Sequence, residues 1–237
     1  MERIDKILAS QGTLSRKDAH ALLRAGKVTV DGKVVRAADT RVAPETQEIC
    51  VEGNVLRYQK WVYLMLNKPA GVVSASRDPR EKTVVDLVPE ELRRKGLFPA
   101  GRLDKDTEGL LIITDDGDYA HRMLSPKKEV DKYYEAVLDG PIGEKEIRAF
   151  EEGVVFADGT ECLPAGLSIL QEGEQPLVCV RIREGKFHQV KKMALAVGRQ
   201  VLKLKRVRIG RLYLDKTLKP GECRELSEEE CALVFLP

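Results

Sequence analysis

The feature that most constrains the fold is a polar turn that leads directly into a short apolar segment, between Gly101 and Gly117. The turn begins Gly101-Arg102-Leu103-Asp104, and the apolar segment is Leu110-Leu111-Ile112-Ile113. Four consecutive apolar residues, two of them β-branched, predict a buried strand. The sequence therefore predicts a loop carboxylate, Asp104, with a buried strand behind it, which suits a reactive group. The alternative is a surface turn whose acidic residues are only solvated.

Composition indicates a chain with a polar surface and excludes several classes of protein. Charged residues make up 33% of the 237 residues, and no apolar run approaches the roughly 20 residues of a membrane helix. The N-terminal segment has acidic residues and no long apolar core, so we expect no signal peptide and a cytoplasmic protein. The five cysteines are scattered without a C-x-x-C pair, which predicts reduced, mostly buried thiols. The three histidines lack metal-ligand spacing, so we expect no metal site.

The net charge of +2 conceals a strongly basic segment near the C-terminal end. Residues 181–219 contain 13 Lys or Arg and 2 Asp or Glu, a balance of +11. Such a segment favours a surface that faces phosphate groups. The alternative is a basic face that binds only solvent.

The first 50 residues predict two helices and a hairpin, with basic side chains available on the helices. Ser15 is a candidate N-cap for the second helix, and Asp31-Gly32 is typical of a hairpin turn. The order RIDKILAS…SRKDAHALLRAGKVTVDGK resembles the S4 RNA-binding module. The resemblance implies an RNA-binding surface, and a helix start can add backbone N–H groups to it. The basic residues expected to contact RNA are Arg3, Lys6, Arg16 and Lys17. A small dimerisation unit is the alternative.

The stretch around Asp104 also carries a family signature. GRLD-x-x-T-x-GLL resembles the motif of the RsuA/RluA superfamily of pseudouridine synthases, which isomerise uridine in RNA, and it matches at eight positions. The resemblance implies that Asp104 is the catalytic residue and that Arg102 contacts RNA where the base leaves. The segment Lys68-Pro69-Ala70-Gly71 resembles the family's Lys-Pro-x-Gly turn. We expect Lys68 to stabilise this turn, with a contact to RNA as the alternative.

Two further motifs agree with the same family. Lys132-Tyr133-Tyr134 resembles the family's Lys-x-Tyr, which implies that Tyr134 packs against the target uracil; an aromatic face suits a flipped base. The segment from Glu184 to Met193, EGKFHQVKKM, resembles E-G-x-x-x-Q-[VIL]-[RK]-[RK]-M. The resemblance implies that Lys191, where many relatives have Arg, pairs with Asp104. The alternatives are a half-buried strand aromatic for Tyr134 and phosphate binding alone for Lys191.

Together these features predict an α+β protein with a small S4-type helix–hairpin domain over residues 1–59. Residues 60–237 are expected to form a pseudouridine synthase domain on a mixed, largely antiparallel sheet. The C-terminal segment 218–230, LKPGECRELSEEE, resembles that of the branch acting on small-subunit (16S) ribosomal RNA. The resemblance therefore implies isomerisation of one uridine in that RNA, either naked or within an assembling small subunit, with Asp104 as nucleophile. We expect a monomer that needs no cofactor, because isomerisation uses no group donor.

Three alternatives stay open from the sequence. One is a pseudouridine synthase that acts on large-subunit (23S) ribosomal RNA. Another is a non-catalytic assembly factor that binds RNA through the S4 module and the basic segment. The third is a glycosidase-like hydrolase in which Asp104 and Glu108 form a carboxylate pair.

Overall fold

The structure, a computed structural model, describes residues 1–12 and 14–236. The chain divides into two compact units. The first unit comprises Met1–Val62 and Pro89–Leu97, and the second comprises Tyr63–Val88 and Phe98–Pro237. Residues Pro89–Leu97 therefore group with the N-terminal unit by their contacts. Within that unit Arg94 donates a hydrogen bond of 3.0 Å to the Gln59 carbonyl.

The first unit packs two short helices beside small antiparallel strand pairs. Ser15 caps the second helix in a complete capping box with Asp18, as the sequence predicted. The hairpin at Asp31-Gly32 is also confirmed, since Thr29 and Val34 are paired across it. The elements are β1 (Glu2–Arg3), α1 (Ile4–Ser10), α2 (Arg16–Arg24), β2 (Val28–Val30), β3 (Lys33–Val34), β4 (Arg41–Val42), β5 (Ile49–Val51) and β6 (Asn54–Val55).

The second unit contains the larger sheet and four helices, and its strands also pair chiefly antiparallel. The strands are β7 (Tyr63–Lys68), β8 (Phe98–Pro99), β9 (Glu108–Thr114), β10 (Lys132–Leu138), β11 (Gly166–Gln171), β12 (Leu177–Ile182), β13 (Val201–Ile209), β14 (Leu212–Tyr213) and β15 (Cys223–Glu225). The helices are α3 (Gly117–Leu124), α4 (Glu144–Glu152), α5 (Gln189–Ala196) and α6 (Glu228–Leu233). Short 3-10 turns of this unit lie at Val85–Leu87 and Pro126–Lys128, and another, Glu90–Leu92, belongs to the first unit.

The nine strands of the second unit form one sheet in the order β11-β12-β10-β13-β9-β7-β15, with β14 beside β13 and β8 beside β9. The pair between β13 and β9 is parallel, with Lys205 opposite Glu108 and Arg206 opposite Gly109. The other strand pairs in this sheet of the described chain are antiparallel. The predicted α+β class with a mixed, largely antiparallel sheet is therefore confirmed.

The strand behind the polar turn is buried as predicted. All four residues from Leu110 to Ile113 are 0% exposed. Met65, Leu110 and Ile112 pack with Tyr119 and Met123 of α3 in one hydrophobic cluster. The loop that carries Asp104 therefore continues directly into the most buried strand of the sheet.

The five cysteines are free thiols, as predicted, but fewer of them are buried than we expected. Cys162 and Cys231 are buried, whereas Cys50, Cys179 and Cys223 are partly exposed. Within residues 1–12 and 14–236, no helix is both long and apolar enough to span a bilayer. The same residues contain no group of three His, Cys, Asp or Glu side chains placed to hold a metal ion.

Candidate active site

The loop that carries Asp104 is held by a buried lysine from the neighbouring strand. Lys68, at the end of β7, is 0% exposed. Its ammonium lies 2.8–3.2 Å from the carbonyl oxygens of Pro69, Asp104, Lys105 and Thr107. An ammonium has three protons, so these four acceptors share them. Burial lowers the pKa of Lys68 to about 8. The expected turn-stabilising role of Lys68 is confirmed, and it extends to the backbone of the Asp104 loop.

A second contact fixes the same loop from the other side. The Ser74 hydroxyl donates to the Leu103 carbonyl at 2.8 Å, and the Leu103 N–H donates back to that hydroxyl at 3.0 Å. The Gly71 N–H also donates to the Lys105 carbonyl at 2.7 Å. Residues 68–74 therefore hold the loop from three points, and the position of Asp104 is set before any ligand arrives.

The Asp104 carboxylate faces two side chains from the start of α5. Lys191 Nζ lies 3.1 Å from Asp104 Oδ2, and His188 Nε2 lies 3.5 Å from Oδ1. Lys191 also donates to Asp106 at 2.6 Å. Burial acts against the Lys191 ammonium, but its hydrogen bonds to the Asp104 and Asp106 carboxylates outweigh that effect, so the pKa of Lys191 lies above its ordinary value. The side chain of Asp104 is 26% exposed, so the carboxylate is fixed and still reachable.

A pocket of about 80 Å³ opens beside Asp104. Asp104, Arg102 and Tyr134 all line it, so the structure brings together three of the residues predicted from the sequence. Tyr134 lies on β10 and is 7% exposed. Tyr133 alternates to the other face of the strand, where its ring lies 3.4 Å from the Arg208 guanidinium carbon.

A buried arginine connects Tyr134 to the strand behind the Asp104 loop. Arg206 on β13 is 4% exposed. Its Nη1 donates to the Tyr134 hydroxyl at 3.3 Å, and its Nε donates to the Leu110 carbonyl at 2.8 Å. Gly109 makes this packing possible. Its φ is +102°, and a Cβ there would lie 2.2 Å from the Arg206 carbonyl oxygen, so only glycine fits.

The four basic residues predicted to bind RNA lie in the N-terminal unit. Arg16 and Lys17 are exposed in the first turn of α2. Lys6 pairs with Glu2. Arg3 lies at the N-cap of α1 and not on its face, and its guanidinium makes two hydrogen bonds, of 3.0 and 2.9 Å, to the buried Asp5. Arg3 therefore has a structural partner, although its side chain is 48% exposed. RNA contact by these four residues stays a prediction.

Sequence reasoning missed three residues of the site. Asp106, which shares Lys191 with Asp104, and His188 both lie inside motifs that were recognised, but spacing alone does not show which side chains converge. Arg206 had a readable signal: it lies two residues after Leu204 in β13, and alternation places both on the same face. The basic character of residues 201–214 nevertheless favoured an RNA-facing surface for it.

The comparisons with known proteins agree with this geometry. The model of the RNA pseudouridylate synthase family matches residues 62–196, and that of the S4 domain matches residues 2–48. An RNA pseudouridine synthase of Bacillus subtilis, YtzG, is 49% identical over 99% of both chains. Ribosomal small subunit pseudouridine synthase A of Escherichia coli (strain K12) is 41% identical over 98% of this chain and 99% of its own.

A solved structure extends the likeness to the whole fold. A crystal structure of a pseudouridylate synthase superposes with a TM-score of 0.68 at 35% identity, and the match covers 99% of this chain and 100% of the other. The family model matches more than half of the chain, and the relatives align over nearly all of it. The chain therefore belongs to the RNA pseudouridylate synthase family, a family of isomerases, and carries the S4 domain at its N-terminal end.

Proposed function

We propose that this chain isomerises one specific uridine of small-subunit ribosomal RNA to pseudouridine, with Asp104 as the catalytic nucleophile. The proposal rests on Asp104, which lines the same pocket as Tyr134 and pairs with Lys191 at 3.1 Å. A cation at this distance holds and aims a carboxylate. A second carboxylate, Asp106, keeps that cation in place from its other side.

The proposed reaction begins with a uridine flipped out of the RNA into the pocket. Asp104 attacks the uracil C6 or the sugar C1′, or assists formation of a glycal. The bond from C1′ to N1 breaks, the base turns, and a bond from C1′ to C5 forms. Where Asp104 has bonded to C6 or C1′, that bond breaks again and the carboxylate is regenerated. The proton on C5 is lost to water while N1 gains one, so atoms and charge balance without an oxidant or a group donor. Tyr134 holds the uracil, and Arg102 contacts the RNA beside it.

The choice of small-subunit RNA is supported by two observations. The Escherichia coli relative is named for the ribosomal small subunit, and the segment 218–230 resembles that branch of the family.

Phosphate contacts come from the +11 segment 181–219. Residues 1–59 contribute the S4 surface with Arg3, Lys6, Arg16 and Lys17, and residues 60–237 catalyse. The protein acts as a cytoplasmic monomer, on RNA that is free or within an assembling small subunit.

The test uses small-subunit RNA labelled with tritium at uracil C5. We expect the wild-type protein to release one tritium per RNA molecule to water. Asp104→Asn keeps the shape of the side chain but removes its charge, so we expect the rate to fall at least about 1,000-fold. Asp106→Asn is the matched control, because it removes the other partner of Lys191 and leaves Asp104 intact. We expect the rate of tritium release by Asp106→Asn to fall about tenfold or less.

The same assay separates the alternatives. Wild-type activity in Asp104→Asn would contradict the role of Asp104. Release from large-subunit RNA alone would move the substrate to that RNA, and release of free uracil would indicate a hydrolase. Binding without tritium release, both on naked RNA and on assembling particles, would favour the assembly factor.

A further inference from the structure

An exposed aromatic ring stands at the rim of the active site. Phe187 is 71% exposed, although a phenylalanine gains roughly 1.5–3 kcal/mol when it is fully buried. It lines a cleft of about 350 Å³ that shares Arg102, Asp104 and His188 with the pocket beside Asp104. A cleft of this volume is in the range of small-molecule sites. Its occupant would lie next to whatever occupies the inner pocket.

The loop that carries Phe187 is fixed by side-chain hydrogen bonds. The Gln189 side chain accepts a hydrogen bond from the Lys186 N–H at 2.9 Å and donates to Glu184 at 2.7 Å. Glu184 also accepts from the Leu163 N–H at 3.0 Å and pairs with the Lys186 ammonium. Gln189 is 4% exposed, so its own two hydrogen bonds are partly shielded from water. The ring is therefore held outward by its loop.

The backbone next to the ring adopts a costly conformation. His188 has φ +53° and ψ +34°, in the left-handed region, which non-glycine residues seldom occupy and which is found at functional sites. This turn lets His188 reach Asp104 while its ring stacks under Phe187, with centroids 3.8 Å apart and planes at 21°. The two rings form a short stack whose inner member contacts the candidate nucleophile and whose outer member is exposed.

The cleft also has a free cation for a phosphate group. Arg102 is exposed and, among the residues that the structure describes, no carboxylate lies within ion-pair distance of it. A stacking ring beside such a guanidinium is the combination that binds a single-stranded nucleotide. We propose that the base of the nucleotide directly adjacent to the target uridine stacks on Phe187, with its phosphate at Arg102. This inference rests on the proposed function, and it makes Phe187 a residue that sets substrate affinity and sequence context.

The experiment compares Phe187→Ala, Phe187→Tyr and Phe187→Leu on a small-subunit RNA fragment from which the wild-type protein releases tritium. Stacking contributes to binding and not to the chemical step, so we expect Phe187→Ala to raise KM about tenfold and to change kcat by no more than about twofold. Phe187→Tyr should keep the wild-type KM, and Phe187→Leu should lie between. Leu170→Ala is the matched control, because Leu170 is 52% exposed, lies outside residues 181–219 and lines neither cleft.

Fragments that are abasic on the 5′ or the 3′ side of the target identify the stacked base. One of the two fragments should raise the KM of the wild-type protein about tenfold. On that fragment, Phe187→Ala should cause no further rise in KM. Dissociation constants measured in an Asp104→Asn background should follow the same pattern without turnover, which separates this inference from the proposed reaction. An unchanged KM in Phe187→Ala, or losses that multiply on both abasic fragments, would overturn it.

Discussion

Replacement of Gly109 by alanine should lower the free energy of unfolding more than the same replacement of a glycine whose positive φ lies in open space. At φ +102° an alanine is strained, which costs roughly 1–3 kcal/mol. Its Cβ would also lie 2.2 Å from the Arg206 carbonyl oxygen and 2.9 Å from the Arg206 nitrogen. Carbon–oxygen contacts normally begin near about 3.3 Å, so β9 and β13 must separate by about 1 Å. The loss of one or two hydrogen bonds between them adds roughly 1–3 kcal/mol.

Gly221→Ala is the matched control for this change. Gly221 also has a positive φ, +91°, but nothing lies within 4 Å of the position of its Cβ. We expect Gly221→Ala to show only the backbone strain, and Gly109→Ala to lose about 2 kcal/mol more. For a chain of 237 residues each kcal/mol lowers Tm by about 2–4 °C.

The assay is thermal unfolding followed by far-UV circular dichroism, together with tritium release. We expect the Tm of Gly109→Ala to lie at least about 4 °C below that of Gly221→Ala. Its kcat should also fall, because Arg206 donates a hydrogen bond to the Tyr134 hydroxyl. Equal Tm values for the two variants would refute the argument that the motif glycine is required by the approach of β13.

Three further predictions concern buried or paired cations. Lys191→Gln should lower kcat about 100-fold in tritium release and leave KM within a few-fold, because it leaves Asp104 without its cation, whereas Lys191→Arg should keep most activity. Arg206→Lys should lower kcat about tenfold, since one ammonium cannot span the Leu110 carbonyl and the Tyr134 hydroxyl; an unchanged kcat would contradict that role. Lys132 is buried and donates to the Val130 carbonyl. Burial lowers the pKa of Lys132 to about 8 from 10.5, so its charge destabilises the native state below pH 8, and this cost disappears as the pH approaches 10.5. Lys132→Met should therefore raise the free energy of unfolding by about 1–2 kcal/mol at pH 7 in urea titrations, and by less at pH 10.

Local signals in the sequence were sufficient for the elements that depend on neighbouring residues. The buried strand at Leu110–Ile113 followed from its apolar run, and α2 from the Ser15 capping box. These features depend on contacts within a few residues, so the residue types at neighbouring positions are enough to predict them. The pairing of Asp104 with Lys191 was expected only from the family resemblance, since no periodicity links a loop residue to a helix residue so far along the chain.

Features that depend on the packing of distant segments were not predictable in the same way. The four carbonyl oxygens around Lys68 belong to backbone, which carries no sequence signal. The bond from Arg3 to Asp5 is local, but both residue types suit a polar surface, so the burial of Asp5 at 3% exposure could not be expected. The left-handed conformation of His188 could not be predicted from the sequence either, because a histidine does not indicate a positive φ as a glycine does.

The parallel pair of β13 and β9 has a consequence for the order in which the chain can fold. β13 lies between β10, which carries Tyr134, and β9, which follows Asp104. A growing chain that has been synthesised only as far as α5 therefore has two separate half-sheets, each with an unpaired inner edge. Contacts between such distant segments form slowly, and open edges favour aggregation until they close. The strand that carries Tyr134 and the strand that follows Asp104 are joined only when residues 201–209 insert between them. Under the proposed function, an incomplete chain should therefore bind RNA through its N-terminal unit well before it can catalyse.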